Sequence, residues 1–570
     1  MSRLLRLLSY DTPRRTAISE RVSSPGRRSA SILTVDRMAW GLLALVILAV
    51  AIAWYVLAGD YAWDDAFISF RYSRNLVNGY GLVWNPGGEH TQGYTNFLFV
   101  VLVAGGMKLG MSPLLAASVL NTVGLLFVVA TFGTLSRALL PGHRWAWIIP
   151  PLALAFLPLV SFNMATRMET VFWSGLVLVA ILAAQRAVHT QRYPYIYGSL
   201  ILFFLGTLTR PETIIVAALI LLYLLIRIPA RMRVHVVVAA GILGVAGLAY
   251  LYWANWYFGD FLPNSFYVKI NRPGTLPGLD YVIGLLRYFA ALPMTYLGIL
   301  GLLVIPRQQW ALMLPYASVF ALAIFYLFVS PLMGFGYRFL FPVACLIDFL
   351  VTMGLIVLIL RMHRALFQRS TARRGTVRRA GKMIVFATAL AFLGLHFWIG
   401  GYLMWLDTQS HDNPQAFANQ ATIGLILHDV KGIEQVVVAF GDAGRVAYYS
   451  DSKFLDVVGL NENTIARVGN QRGADWVIRY VLDQHPDLIG FYTYPDGTVY
   501  KHDHGALGSA YYTLYAQPDF QGNYTYAGGF DSHWGVYAQL FVRTKSSYAD
   551  ALLDAIRQRA DTQELGTLHP

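Results

Sequence analysis

Between Asp60 and Asn96 the chain reads DYAWDDAFISFRYSRNLVNGYGLVWNPGGEHTQGYTN. Two adjacent carboxylates, Asp64 and Asp65, are followed by Arg71, Arg74, Glu89 and His90 and by several aromatic residues. A carboxylate within hydrogen-bond reach of a hydroxyl can take its proton as the oxygen attacks. Arginine presents a planar, permanently charged fork that matches phosphate. Together these residue types suit displacement of a phosphate from a sugar carbon by a hydroxyl acceptor. Phosphate is already a good leaving group, so one base and several cations suffice, and a single displacement inverts the carbon. Oxocarbenium character at that carbon would be stabilised by carboxylates and aromatic faces nearby. The competing reading is that the acidic pair only caps a helix beside the membrane.

The elements that must position these groups follow from composition. With 570 residues, 56% hydrophobic and 13% charged, and a mean hydropathy of +0.49, the chain is a polytopic membrane protein. Its net charge of +13 sits mostly beside apolar segments, where basic residues set orientation; nucleic acid is not an expected partner, and membrane lipid is. The single cysteine, Cys345, allows no internal disulfide.

Residues 1–37 form an arginine-rich tail expected to stay in the cytoplasm, and the first span is expected at Met38 to Ala58, with Asp64 emerging outside. Ten further spans are expected: Pro113 to Ser136, Trp145 to Ser161, Thr170 to Ala187, Tyr195 to Leu208, Thr213 to Arg227, Val234 to Trp256, Tyr281 to Ile305, Ala311 to Ser330, Tyr337 to Leu360 and Met383 to Trp405. With about eleven spans every basic loop falls on one side, the run from Arg361 to Lys382 included. The stretch Phe97 to Gly110 must then lie in the interface or re-enter. On the opposite side, near span ends, gather Asp64, Asp65, Arg71, Arg74, Glu89, His90, Arg167, Glu169, Arg210, Glu212, Asp260, Lys269, Arg272 and Arg338. Charges at membrane depth mark paths, pairs or chemistry; for Arg210 with Glu212, and Arg167 with Glu169, a simple ion pair is the alternative.

Residues 406–570 carry about 19 acidic against about 11 basic side chains, a net near −8, and are expected to form a soluble extracytoplasmic α/β or α+β domain. Strands are expected at Val436 to Phe440, near Phe454 to Val458 and in DLIGFYTY, with helices at Ala474 to Leu482 and Tyr548 to Arg559. Gly441, Asp442, Ala443 and Gly444 read as a strand-to-helix turn in preference to a phosphate cradle. His502 and His504 read as surface residues, since no further metal-ligand spacing accompanies them.

A long span followed by an external acidic pair resembles the GT-C class of integral membrane glycosyltransferases. More narrowly, WDDAFISFRYSRNLVNGYGLVWNPGG with EHTQGYTNF resembles the mycobacterial and corynebacterial terminal β-(1→2) arabinofuranosyltransferases and their wider bacterial relatives. RMETVFWSGL, LTRPETIIV, YFGDFLPNSFYVK, GYRFLFP, GDAGRVAYYS and FLDVVGLN extend the likeness over most of the chain. The resemblance implies a plasma-membrane enzyme of the cell envelope with an extracytoplasmic site between residues 60 and 96, within a spanning domain of residues 38–405. Its donor would be a polyprenyl-phosphate sugar, pentose or hexose, and its acceptor a glycan or glycolipid. It implies Asp64 as catalytic base, and Asp65 as a second carboxylate that orients the acceptor, stabilises the sugar or holds a metal. Arg338 is the first choice for the donor phosphate, with Arg210, Lys269, Arg71 and Arg74 behind it. Asn85, His90, Tyr94, Thr95, Glu169 and Glu212 are the sugar and acceptor candidates. A divalent cation stays open, because such an ion takes three or more oxygen ligands and only Asp64 and Asp65 are adjacent.

Two other classes compete. A transporter or flippase of lipid-linked sugar would place charges at the midplane and show inverted repeats, whereas these acids cluster at external ends. A non-catalytic scaffold would use the C-terminal domain to bind glycan.

Overall fold

A backbone in hydrocarbon must satisfy its hydrogen bonds internally, so long apolar runs become helices. The computed structural model describes residues 26–141, 146–270, 276–331, 334–367, parts of 387–403, 414–500, 513–515, 517–532 and 536–562. Among them, six helices are long and apolar enough to cross a membrane: Met38–Ala58, Pro113–Leu139, Thr170–Thr190, Ala230–Phe258, Gln309–Phe328 and Phe335–Met362. Two bent pairs, Ala146–Ala155 with Pro158–Ala165 and Leu279–Ala290 with Pro293–Leu303, raise the number to eight if each is one span. Phe97–Lys108, Tyr193–Thr209 and Thr213–Arg227 are apolar but shorter.

The largest departure from the expected straight crossings is at Tyr281 to Ile305, where two helices meet at 85°. Pro293 opens the second of them, and its missing N–H and fixed φ prevent one ladder from running through. Phe97–Lys108 has 12 residues, about 18 Å of helix and well short of the hydrocarbon core. Most of the expected span 383–405 lies outside the described residues, as do the tail 1–25, the basic run 368–382, Arg272, His502 and His504.

The chain divides into two compact units, residues 1–46 and 47–570; the charged loop, the later helices and the sheet all belong to the second. Within it, glycines let helices touch backbone to backbone. A Cβ added at Gly175 would overlap the Gly124 main chain, and one at Gly354 would overlap the Gly298 carbonyl. Small residues at such crossings are how helices gain dispersion contact when surrounding lipid is as apolar as they are.

Five short strands, β1 (Val437–Phe440), β2 (Lys453–Asp456), β3 (Leu488–Thr493), β4 (Tyr524–Asp531) and β5 (Tyr537–Arg543), form one sheet in the order β2-β1-β3-β5-β4. β1 runs parallel to β2 and β3, while β5 is antiparallel to β3 and β4. Every residue of β3 is buried, as expected for a central strand covered on both faces. On one face Ala439, Ile489, Phe491 and Phe541 pack with Val477, Ile478 and Val481 of the helix Ala474–Asp483. On the other, Val438, Phe440, Leu488 and Leu540 pack with Leu552 and Ile556 of the helix Ala549–Arg557, and in the same cluster with Tyr72, Trp84, Tyr94, Val100 and Phe258. The sheet therefore shares a hydrophobic core with the charged loop.

Gly175→Ala and Gly354→Ala should each lower stability by about 1–3 kcal/mol through overpacking, seen as an earlier thermal transition of the detergent-solubilised protein. Gly105→Ala, where an added Cβ meets nothing within 4 Å, should leave the transition unchanged or raise it.

Candidate active site

The charged loop opens with a helix, Asp64–Val77, whose N-cap Trp63 is extended and supplies no side-chain cap. Asp64 and Asp65 occupy its first turn, where the partial positive charge of the helix terminus favours acids. Their carboxylates bond elsewhere, however, which sets the capping reading aside. Successive helical residues diverge by about 100°, and these two point to different partners. Asp65 Oδ2 takes a charged hydrogen bond from Arg338 Nη2 at 3.0 Å. Asp64 accepts from backbone N–H groups of Arg445, at 2.7 Å, and Gly444, at 3.0 Å.

Asp65 lies on the wall of a small pocket, about 70 Å³, together with Ser69, Tyr94, Thr95, Asn96, Glu169, Arg210, Ser265 and Arg338. Arg338 enters it from the turn Phe335–Leu340, in which Gly336 and Tyr337 both have positive φ, 58° and 51°. At Gly336 a side chain would meet the Phe162 ring as well, so glycine is required on two counts. Arg338 also reaches the Met168 sulfur and lies over the Phe339 ring. Beside it, Arg210 bridges Glu169 at 2.6 Å and Glu212 at 2.7 Å, and the Tyr326 hydroxyl donates to Glu212 at 2.6 Å. Asn96 donates to Glu169 and to the Ser69 hydroxyl. Burial alone would raise Glu169, but the Arg210 and Arg338 guanidinium groups outweigh it and hold the carboxyl below its usual range. Buried charges of this kind persist only when paired and hydrogen-bonded.

Three buried polar atoms on this wall have no hydrogen-bond partner among the described residues: the Tyr94 hydroxyl, the Ser265 hydroxyl and Arg338 Nε. An unmet buried donor costs about 1–3 kcal/mol, and three around one cavity are groups a polar ligand would satisfy.

Asp64 does not line that pocket. Burial, and then the neighbouring Asp442 carboxylate, push its acid strength down, raising its pKa against the opposing pull of the Arg445 N–H. Asp442 is raised by burial too, although the Tyr492 hydroxyl and Gln420 Nε2 both donate to it. Ionisation of one resists ionisation of the other. The turn Gly441 to Gly444 does connect β1 to a helix, Arg445–Ser450. The anion on its N–H groups is a side chain of the same protein.

Several expected site residues lie elsewhere. Arg71, expected at the donor phosphate, is buried and spent on the carbonyls of Trp84, Ala447 and Ser452 and on Asn85 Oδ1. Arg74 pairs with Asp451 at 2.6 Å and donates to the Tyr448 carbonyl. Both face, with Asn85, a separate polar cleft of about 720 Å³ that Lys453 and Glu434 also line. Two arginines at this spacing share a helix face, but it is turned away from Asp65. His90 is exposed, stacked on Tyr257 at 4.1 Å and bonded to its carbonyl. Arg167 bonds the Gly59 carbonyl and lies over Tyr55, so Glu169 is not its partner. Glu212 serves Arg210 and Tyr326 and stays behind the pocket wall. Lys269 falls in the helix Asn264–Ile270, and its side chain lies outside the described residues. Of the expected set, Asp65, Arg338, Arg210, Glu169, Tyr94 and Thr95 are brought together. Ser69, Asn96, Ser265 and Tyr326 were not anticipated; Ser69 sits one helical turn from Asp65, a spacing that could have pointed to it. Among the described residues no group of three or more His, Cys, Asp or Glu is arranged to hold a metal ion.

Residues 413–549 match a family described as a domain of unknown function (DUF8728). Over 284 residues the chain is 27% identical to the terminal β-(1→2)-arabinofuranosyltransferase of Mycobacterium tuberculosis, a match covering 47% of this chain and 44% of the relative. The aligned part thus spans less than half of that relative's length. Among solved structures, ArnT from Cupriavidus metallidurans in the apo state superposes with a TM-score of 0.55 at 13% identity, covering 89% of this chain and 98% of that one. The archaeal oligosaccharyltransferase AglB from Archaeoglobus fulgidus gives 0.52 at 11% identity, covering 89% of this chain and 80% of that one. The chain therefore has the fold of these GT-C glycosyltransferases, and its sequence is similar to that of a mycobacterial arabinofuranosyltransferase.

Proposed function

We propose that the chain is an inverting glycosyltransferase of the plasma membrane. It moves a sugar from a polyprenyl-phosphate donor to a glycan or glycolipid of the cell envelope, on the extracytoplasmic side. The observation that carries this reading is the pocket lined by two carboxylates, Asp65 and Glu169, and two arginines, where the Tyr94 and Ser265 hydroxyls and Arg338 Nε have no partner among the described residues. Arabinofuranose is the sugar favoured by the mycobacterial relative. A lipid phosphate donor is supported by a structure of ArnT bound to undecaprenyl phosphate and one of AglB in complex with a dolichol-phosphate.

Asp65 is the base in this scheme, replacing Asp64, whose oxygens are held by the Gly444 and Arg445 amides. The acceptor hydroxyl oxygen bonds to the anomeric carbon, its proton passes to Asp65, and the bond from that carbon to the phosphate oxygen breaks. The electron pair leaves with the polyprenyl phosphate. Arg210 is already claimed by Glu169 and Glu212, so Arg338 is the cation the pocket can give to that phosphate. As it turns toward the phosphate it loosens its hold on Asp65, which strengthens the base when the substrate is in place.

Asp65→Asn should lower kcat by about 10²–10⁴-fold, the usual worth of a general base, with donor binding largely kept. The measurement is product analysis with a panel of synthetic polyprenyl-phosphate sugars. Undiminished transfer by this variant would sink the assignment, and donor movement across liposomes without transfer would favour a transporter.

Arg338→Ala should chiefly weaken binding of polyprenyl phosphate, by about tenfold or more for loss of a charge-assisted bond. Arg210→Ala should act on stability, because two buried carboxylates lose their counter-charge at a cost of about 3–5 kcal/mol. Lipid-phosphate titration and thermal unfolding separate the two.

A further inference from the structure

The segment from Gly444 to Ser452, which lies within the domain of unknown function, runs along the helix that carries Asp65. Its polar contacts follow that helix residue by residue. The Gly444 and Arg445 amides bond the two oxygens of Asp64. Arg445 Nη2 donates to the Ala62 carbonyl at 2.6 Å, and its guanidinium lies over the Phe67 ring. Further along, Arg71 donates to the carbonyls of Ala447 and Ser452, and Arg74 to that of Tyr448.

From these contacts we infer that the domain of unknown function is a positioning part of the catalytic centre, with Gly444 and Asp64 forming a clamp that fixes where Asp65 points. The inference rests on the reading of the Asp65 pocket as the reacting centre. Because neighbouring helical side chains diverge by about 100°, holding Asp64 against the turn sets the rotation of the helix start and thereby aims Asp65 at Arg338. Both oxygens of Asp64 are engaged, and its backbone and carboxylate fill the space where a Gly444 Cβ would stand. A side chain at 444 therefore has to push the helix start away from the turn. Asp64 and Gly444 are positioning residues that act through Asp65, and neither touches the pocket.

The test uses the full-length protein in nanodiscs with a synthetic polyprenyl-phosphate sugar, and compares Gly444→Ala, Asp64→Asn, the double variant and Asp65→Asn. Gly444→Ala and Asp64→Asn should each lower kcat by about 100-fold, the effect of a displacement near 1 Å at a reacting group. The donor KM and the pH dependence of the remaining transfer should hardly change, since Asp65 still takes the proton. The double variant should fall no further than the worse single one, because both break the same contact. Polyprenyl-phosphate binding and a retained thermal transition show that each variant is folded, and Asp64→Asn, which adds no heavy atoms, gives the same readout if Gly444→Ala does not fold. An active Gly444→Ala beside an inactive Asp65→Asn overturns the clamp alone, as do additive losses in the double variant. Transfer retained by Asp65→Asn overturns the pocket reading, and the clamp with it.

Discussion

Charges withheld from water must be balanced from within, and the arrangement of this site depends on how that is done. Five ionisable groups form two ion-paired sets, Asp65 with Arg338 and Arg210 with both Glu169 and Glu212, at 2.6 to 3.0 Å. They come from four separate stretches of chain, and the pairs tie the first loop to the Phe335–Leu340 turn and the start of the Thr170–Thr190 helix to the 210–212 turn. A buried carboxylate beside its counter-ion stabilises only modestly, yet removing either partner is expensive. The pairs thus act more as a specification of geometry than as a source of stability, and they divide the arginines into one that bridges two carboxylates and one that holds a single carboxylate.

The sheet-bearing segment takes part in that geometry. Its core is continuous with the first loop through Tyr72, Trp84 and Tyr94, and Leu460 contributes to the pocket wall. Gly93 packs so closely on Leu460 and Asn461 that a side chain there would overlap them. Asp456 shapes this approach by accepting from the amides of Val458, Gly459 and Asn461. Apolar packing brings the segment to the loop, and specific polar contacts then set the register.

Much of the fold was legible from the pattern of residues. Apolar runs near Pro113, Thr170 and Val234 became helices, because period and hydropathy are local properties and a lipid-facing backbone has few alternatives. The strands at VVVAF and DLIGFYTY were readable for the same local reason. The 85° break before Pro293 was less so, since a proline shows where a ladder is interrupted but not the angle at which the pieces pack. Of the site, the acidic pair, Arg338 and Arg210 stood out because charge beside an apolar run is conspicuous. Arg71 and Arg74 stood out equally, and sequence had no means of showing that backbone carbonyls of residues 447, 448 and 452 consume them.

By itself the sequence determined the chemistry on offer, a pair of carboxylates and several arginines near span ends, and the class of protein that holds them. Tertiary structure decided which of the two aspartates faces the arginine and which is tied to the turn at Gly444. Adjacent residues on a helix share a position in sequence but not a direction, so their roles are settled only when partners hundreds of residues away are packed against opposite sides of the same turn.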